Sequence, residues 1–262
     1  TSFAHKFKKI ASTLTMFNFS SEDNPKDENN DGFIDIPSNQ SYNLMHRWDF
    51  DISQHVELMT GFKFNYNDKY GGSDFSRLYQ QLPSFIFNSD FNREEFFLKS
   101  SYNSLKKEYQ SIGIQINLTS HTLNSKFGAT DYFANQRTVY TNLIYQSIFK
   151  NTKNKFRTGL SFIYDENYFF FKQHNTQTEQ SFEETPGAFF EYTHDYLKRF
   201  SFIAGFRVDD NNLYGLVYTP RFHARYDLGK KFIFRASAGS GFRVANPLAE
   251  NMSLMASNRE FI

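Results

Sequence analysis

The sequence predicts an all-β fold: an antiparallel up-and-down transmembrane β-barrel, present in part, with about eleven strands on this chain. Three observations carry that reading. Segments of about 9–11 residues, the length of a tilted strand crossing a bilayer, alternate apolar and polar residues and so present one face of each kind. The connections between them alternate short and long, as the periplasmic turns and outer loops of such barrels do. The composition joins 19% aromatic residues, with Phe 33 and Tyr 16, to only 39% hydrophobic residues and a mean hydropathy of -0.61. That mixture argues against a helical membrane protein, since no run approaches the roughly 18 apolar residues a spanning helix needs. It suits a barrel with an aromatic outside and a wet lumen.

Phe7–Phe19 reads as the first strand, although its two faces separate poorly. The hairpin Tyr42–Phe50 and Val56–Tyr66, joined by Asp51–Gln54, is the clearest. Leu44, His46, Trp48 and Phe50 alternate there with Asn43, Met45, Arg47 and Asp49, and Phe62, Phe64 and Tyr66 with Gly61, Lys63 and Asn65. Asn92–Tyr102 and Glu108–Leu118 follow around Asn103–Lys107, the second setting Ile112, Ile114, Ile116 and Leu118 against Ser111, Gly113, Gln115 and Asn117. Arg137–Phe149 and Phe156–Tyr164 flank the turn Lys150–Asn154; Gly187–Thr193 and Phe200–Val208 flank His194–Arg199; Arg221–Asp227 and Phe232–Ala238 flank Leu228–Lys231. The long connections are Ser20–Ser41, Asn67–Asp90, Thr119–Gln136, Asp165–Thr185 and the shorter Asp209–Tyr218. Residues 1–262 are expected to form one barrel domain with no complete separate domain, and 20–41 an extracellular loop. Bacterial single-chain barrels carry an even number of strands. The odd count, and a chain that opens on Thr1, lead us to expect an internal fragment.

A net charge of +1, from 29 basic and 28 acidic residues, gives no electrostatic case for nucleic acid. Outer-membrane lipid is the partner the apolar faces call for. With Cys 0, disulfides and thiolate metal sites are excluded. No nucleophile with a base and an orienting acid stands out, and the adjacent acids Glu94/Glu95 and Glu183/Glu184 point to opposite faces of their strands, so no catalytic residue is expected.

The sharpest local motif lies in the first long loop. Asp27, Asn29, Asp31 and Asp35 fall at the first, third, fifth and ninth positions of an EF-type calcium loop, Gly32 sits at the turn, and Phe33 would offer its main-chain carbonyl. Ser38 stands where a bidentate glutamate would close the shell, so Asp23 or another loop would have to complete it. A structural Ca2+ and a solvated Asn/Asp-rich loop both fit. The seven histidines show no zinc or iron spacing, and His46, alternating with Tyr42 and Trp48, reads as an interfacial aromatic-belt residue. Phe169, Phe170 and Phe171 read as a strand extension above the membrane, in preference to part of a substrate-contacting aromatic patch. Tyr79, Phe85, Phe87, Tyr132 and Tyr214 lie in or beside outer loops, where they could touch an aromatic or macrocyclic ligand.

The stretch Arg235–Ile262, with Gly239, Gly241, Phe242, Arg243, Asn246 and Pro247, resembles the mid-barrel signature of TonB-dependent outer-membrane receptors, particularly the Bacteroidetes type. Tyr218, Pro220 and Arg221, followed by Arg225, Tyr226 and Asp227, resemble the strand before that signature. The resemblance implies a 22-stranded parent barrel with an N-terminal plug domain that is not in this sequence. It implies a receptor that takes up a scarce small-molecule nutrient, such as an iron–siderophore chelate or cobalamin, and is coupled through the plug to the inner-membrane TonB complex. Two other classes remain open from the sequence: an outer-membrane barrel enzyme of the phospholipase or protease kind, and a calcium-binding β-sheet adhesin.

Overall fold

The computed structural model describes residues 1–7, 11–73, 85–172, 176–196, 199–229, 231–246 and 250–251. Twelve strands form one sheet in sequence order, each antiparallel to the next. They are β1 (Ser2–Phe7), β2 (Ala11–Glu22), β3 (Ser38–Asp51), β4 (Val56–Gly72), β5 (Ile86–Asn103), β6 (Ser111–Phe127), β7 (Thr130–Ile148), β8 (Asn154–Lys172), β9 (Thr176–Tyr196), β10 (Phe200–Asn211), β11 (Gly215–Leu228) and β12 (Phe232–Gly239).

The expected all-β up-and-down architecture is the observed one, with one strand more than expected. Phe7–Phe19 is not a single strand: Phe7 pairs with Ala11 and Ser2 with Met16, so the chain reverses between them, in a stretch that lies outside the described residues. Alternation is blurred within β2 itself, where Ala11, Thr13 and Thr15 share a face with Phe17 and Phe19, and Ser12 and Asn18 share the other with Leu14 and Met16.

The expected long connections are also shorter than the sequence suggests, because the ladders continue into them. Thr119–Gln136 is two strands joined at Gly128 and Ala129, where Gly128 adopts φ 59°. In Asp165–Thr185, β8 runs on to Lys172 and β9 starts at Thr176. Phe169, Phe170 and Phe171 therefore belong to a strand extension, as the sequence suggests. The short turns are closed by local bonds. Ile52 N donates to Val56 O at 3.0 Å, and the Asn151 side chain accepts from Lys153 N at 3.1 Å.

Register puts the even-numbered aromatics of β4–β6 on one face: Phe62 stands opposite Phe96 and Phe96 opposite Leu118. Across the sheet the same face carries Leu160, Phe190, Phe206, Phe222 and Phe234, between 44% and 61% exposed. Near the short turns it holds stacked rings, such as Trp48 on Phe50 at 5.7 Å and Phe149 on Phe156 at 4.4 Å. His46 lies among them, 5.5 Å from Trp48. Only Phe97, Phe127, Tyr132, Phe169 and Phe171 are buried hydrophobics among the described residues. A continuous exposed apolar face with so small a core is what a lipid-facing sheet requires and a water-soluble sandwich does not tolerate.

The opposite face is polar and paired. Lys63 Nζ lies 2.8 Å from Glu95 Oε1, Arg47 Nε lies 3.0 Å from Asp49, and Arg225 Nε lies 2.9 Å from Asp227. Arg207 holds Asp209 at 2.6 Å and donates to Ser161 Oγ at 2.7 Å, while Arg221 pairs with Glu191. Glu94 falls on the other face from Glu95, in register with Phe64 and Ser120, so the adjacent acids do not form a pair.

Candidate functional site

The polar face of β6–β9 encloses a cavity of about 450 Å³ in the part of the strands farthest from the short turns. Four successive rungs build its wall. Register aligns Thr138, Asp165 and Glu183; then His121, Gln136, Asn167 and Ser181; then Leu123, Ala134, Phe169 and Glu179; then Tyr132 with Phe171. Residues two apart on each strand share a face, so a polar floor passes into an aromatic upper wall within a few residues.

Asp165 is held by neutral donors: Gln136 Nε2 at 2.9 and 3.0 Å, Thr138 Oγ1 at 2.6 Å and Asn167 Nδ2 at 3.0 Å. Glu183 receives Asn211 Nδ2 at 3.4 Å. Asn211, 1% exposed, also donates to Thr185 Oγ1 at 2.8 Å, and its side-chain oxygen accepts from the amides of Leu213 and Tyr214 at 2.9 and 3.1 Å. That single side chain sets the β10–β11 turn so that Leu213 and Tyr214 line the cavity. The Tyr214 ring meets Phe242 edge-on at 5.8 Å, and Val244, Ala245 and Asn246 complete the lining.

Above the floor, Phe127, Tyr132, Phe169 and Phe171 form a buried cluster with Phe85, Phe87, Leu123 and Ala134 packed on it. Tyr132 is 2% exposed, yet its hydroxyl has no hydrogen-bond partner among the described residues. Nε2 of His121, whose ring lies 4.7 Å from Phe91, is unpartnered as well. Three groups of this wall are perturbed, with burial and then the nearby Arg93 charge holding the His121 imidazole below its usual range. Burial pushes the Tyr132 hydroxyl up to about 12. Burial, then the nearby Asp165 charge, raises the Glu183 carboxyl above its usual range.

The structure brings together part of the sequence-based candidate set. Tyr132 and Tyr214 line one cavity, Phe85 and Phe87 pack against its aromatic wall, and Tyr79 lies outside the described residues. Gln136, Asp165, Asn167, Glu179 and Glu183 were not legible as a group, because only register across four strands unites them. The available signal was polar residues two apart at matching heights, as in Gln136 and Thr138 or Asp165 and Asn167.

The calcium-like loop sits elsewhere, between β2 and β3. Asp27 accepts from the amides of Asp31 and Gly32 at 3.3 and 2.9 Å, Asn29 from Asp31 N at 2.9 Å, Asp31 from Phe33 N at 2.8 Å and Asp35 from Glu28 N at 2.9 Å. Gly32 takes φ 88° and Asn30 φ 58°, the left-handed turns that wrap the segment on itself. The bridge from Phe33 to Ser73 and the bond from Ile34 N to Gly72 O tie it to the end of β4. Among the described residues, no group of three or more His, Asp or Glu side chains is gathered so as to hold a metal ion.

The sequence profile of the family described as "TonB dependent receptor-like, beta-barrel" matches residues 8–258. No curated protein matches. Among solved structures, the chain is similar to FpvA of Pseudomonas aeruginosa bound to heterologous pyoverdines, with TM-score 0.68 and 11% identity over 87% of this chain and 37% of that one. It is similar to the alcaligin outer-membrane receptor FauA of Bordetella pertussis, with TM-score 0.65 and 11% identity over 90% and 39%. It is similar too to the siderophore receptor PirA of Pseudomonas aeruginosa, with TM-score 0.61 and 13% identity over 94% and 39%. At these identities the likeness is one of fold, and the chain spans under two fifths of the length of each of these structures.

Proposed function

The chain belongs to the TonB-dependent receptor-like β-barrel family, and from that premise we propose that it forms about half the wall of an outer-membrane receptor for a scarce nutrient. The observation that carries this reading is the cavity between β6 and β9, on the lumen-facing side and beyond the bilayer-spanning residues, where a ligand arriving from outside first meets the wall. Iron–siderophore chelates and cobalamin are the nutrient classes proposed, with a plug domain and the TonB complex supplying coupling. Transport rather than catalysis is the reading, in keeping with the outer-membrane receptors and transporters it resembles in fold.

Deleting the gene tests it. Uptake of at least one iron chelate or of cobalamin falls in the deletion strain under nutrient limitation, and the wild-type gene restores it where Ala134→Trp, which fills the cavity, does not. Unchanged uptake of every such nutrient removes the proposal.

A structural Ca2+ at Asp27, Asn29, Asp31, Phe33 and Asp35 is a second, separate proposal, favoured by the left-handed turns at Asn30 and Gly32 that wrap the segment as calcium loops are wrapped. Calorimetric titration of the intact receptor decides it: calcium uptake lost in Asp31→Ala supports the site, and unchanged uptake rules it out.

A further inference from the structure

Resting on the reading of the β6–β9 cavity as the substrate wall, we infer that its substrate presents a cationic, hydrogen-bond-donating group, an ammonium or guanidinium, next to an aromatic or apolar body. The lining contains Asp165, Glu179 and Glu183 but no lysine or arginine among the described residues. A cleft of one charge sign bounded by apolar walls concentrates the opposite charge. Asp165 has both oxygens occupied by neutral donors, so it adds field without offering a lone pair. Among the described residues Glu183 receives one long bond and Glu179 receives none, and these two carboxylates are the acceptors left for a ligand.

The aromatic wall fits the same class. Tyr132, Phe169 and Tyr214 line the same cavity as these carboxylates, and aromatic rings beside acids are surroundings in which a cation is held by ring quadrupoles as well as by charge. The Tyr132 hydroxyl is the second, independent sign that something polar belongs here. Tyr132 is 2% exposed and lines the cavity, and its hydroxyl has no partner among the described residues, a condition that costs about 1–3 kcal/mol unless a ligand completes it. Arg93 stands in register with His121 but is itself 3.7 Å from Glu95, so an anionic chelate would meet three acids and no lysine or arginine among the described lining residues, and the assignment disfavours that class.

Saturation-transfer NMR on the intact receptor in micelles tests the charge. The probes are 2-(1-naphthyl)ethylamine and 1-naphthylacetate, which share an apolar body and differ in sign. The amine binds and the carboxylate does not. Glu179→Gln with Glu183→Gln weakens the amine roughly tenfold or more, as loss of charge-assisted bonds does. Tyr132→Phe weakens it less, and Ala134→Trp abolishes the signal. Equal or stronger binding of the carboxylate, no binding of the amine, or an amine affinity untouched by the double substitution overturns the inference. A receptor that restores uptake in the deletion strain yet prefers the carboxylate overturns the charge assignment alone, whereas unchanged uptake in that strain overturns the transport reading itself.

Discussion

Two regions of one polar face treat their acids in opposite ways. Beside the cavity, on β3–β5 and β9–β11, Asp49, Glu95, Glu191, Asp209 and Asp227 each face an arginine or lysine. Inside it, Asp165 and Glu183 are satisfied by amides and a hydroxyl, and no ion pair reaches them among the described residues. The difference teaches what each region is built for. Paired charge presents an internally neutralised wall, while unpaired charge keeps its field for something that arrives.

Breaking the flank should have the largest effect on stability. Arg207→Ala strips Asp209, whose side chain is 11% exposed, of its guanidinium partner and leaves Ser161 without its donor. The expected loss is about 2–3 kcal/mol, read as a lower temperature of heat-modified migration of the intact barrel on gels. A variant as heat-resistant as the parent would mean that the flank pairs contribute nothing and the contrast is hollow.

The cavity should respond in the reverse sense. Tyr132→Phe removes a buried hydroxyl that has no partner among the described residues and keeps the ring, so stability rises by up to about 1 kcal/mol even as the ligand probe is weakened. A clear fall in stability would show that the hydroxyl has a partner beyond the described residues.

The smallest effect is the pH dependence of Glu183. Its folded carboxyl binds a proton more readily than the unfolded one, because burial and then Asp165 raise it. The ionised form therefore costs stability above the folded pKa, and that cost fades as pH falls through it. Glu183→Gln should be slightly the more stable at neutral pH and lose that advantage on acidification, in parallel melts of the two proteins. An advantage that grows with acid would reverse the sign and place a countercharge near Glu183.

The sequence disclosed the fold where one face meets lipid, and fell silent where both faces meet water. In Tyr42–Tyr66 the demand for an apolar partner writes a period of two into the residues. Beyond the bilayer, Thr122 to Ser125 or Asn167 and Tyr168 can be polar on either side. The ladder there is held by backbone bonds and by polar side-chain bonds such as Asn135 to Thr122 and Ser89 to Ser125, which write no apolar period, so those stretches read as loops. The cavity was half legible for a related reason. Tyr132 and Tyr214 announce themselves as aromatic residues at loop edges, but Gln136, Asp165 and Glu183 acquire meaning only from register, which no local pattern encodes.

Strands β8 and β9 run 19 and 21 residues, where a tilted bilayer crossing takes about 9–11. The remainder stands above the hydrocarbon as a stiff parapet, its shape settled when the barrel folds. On the proposed receptor reading, a ligand landing there finds a ledge already cut and need not recruit and freeze a wandering loop, so capture sacrifices little disorder.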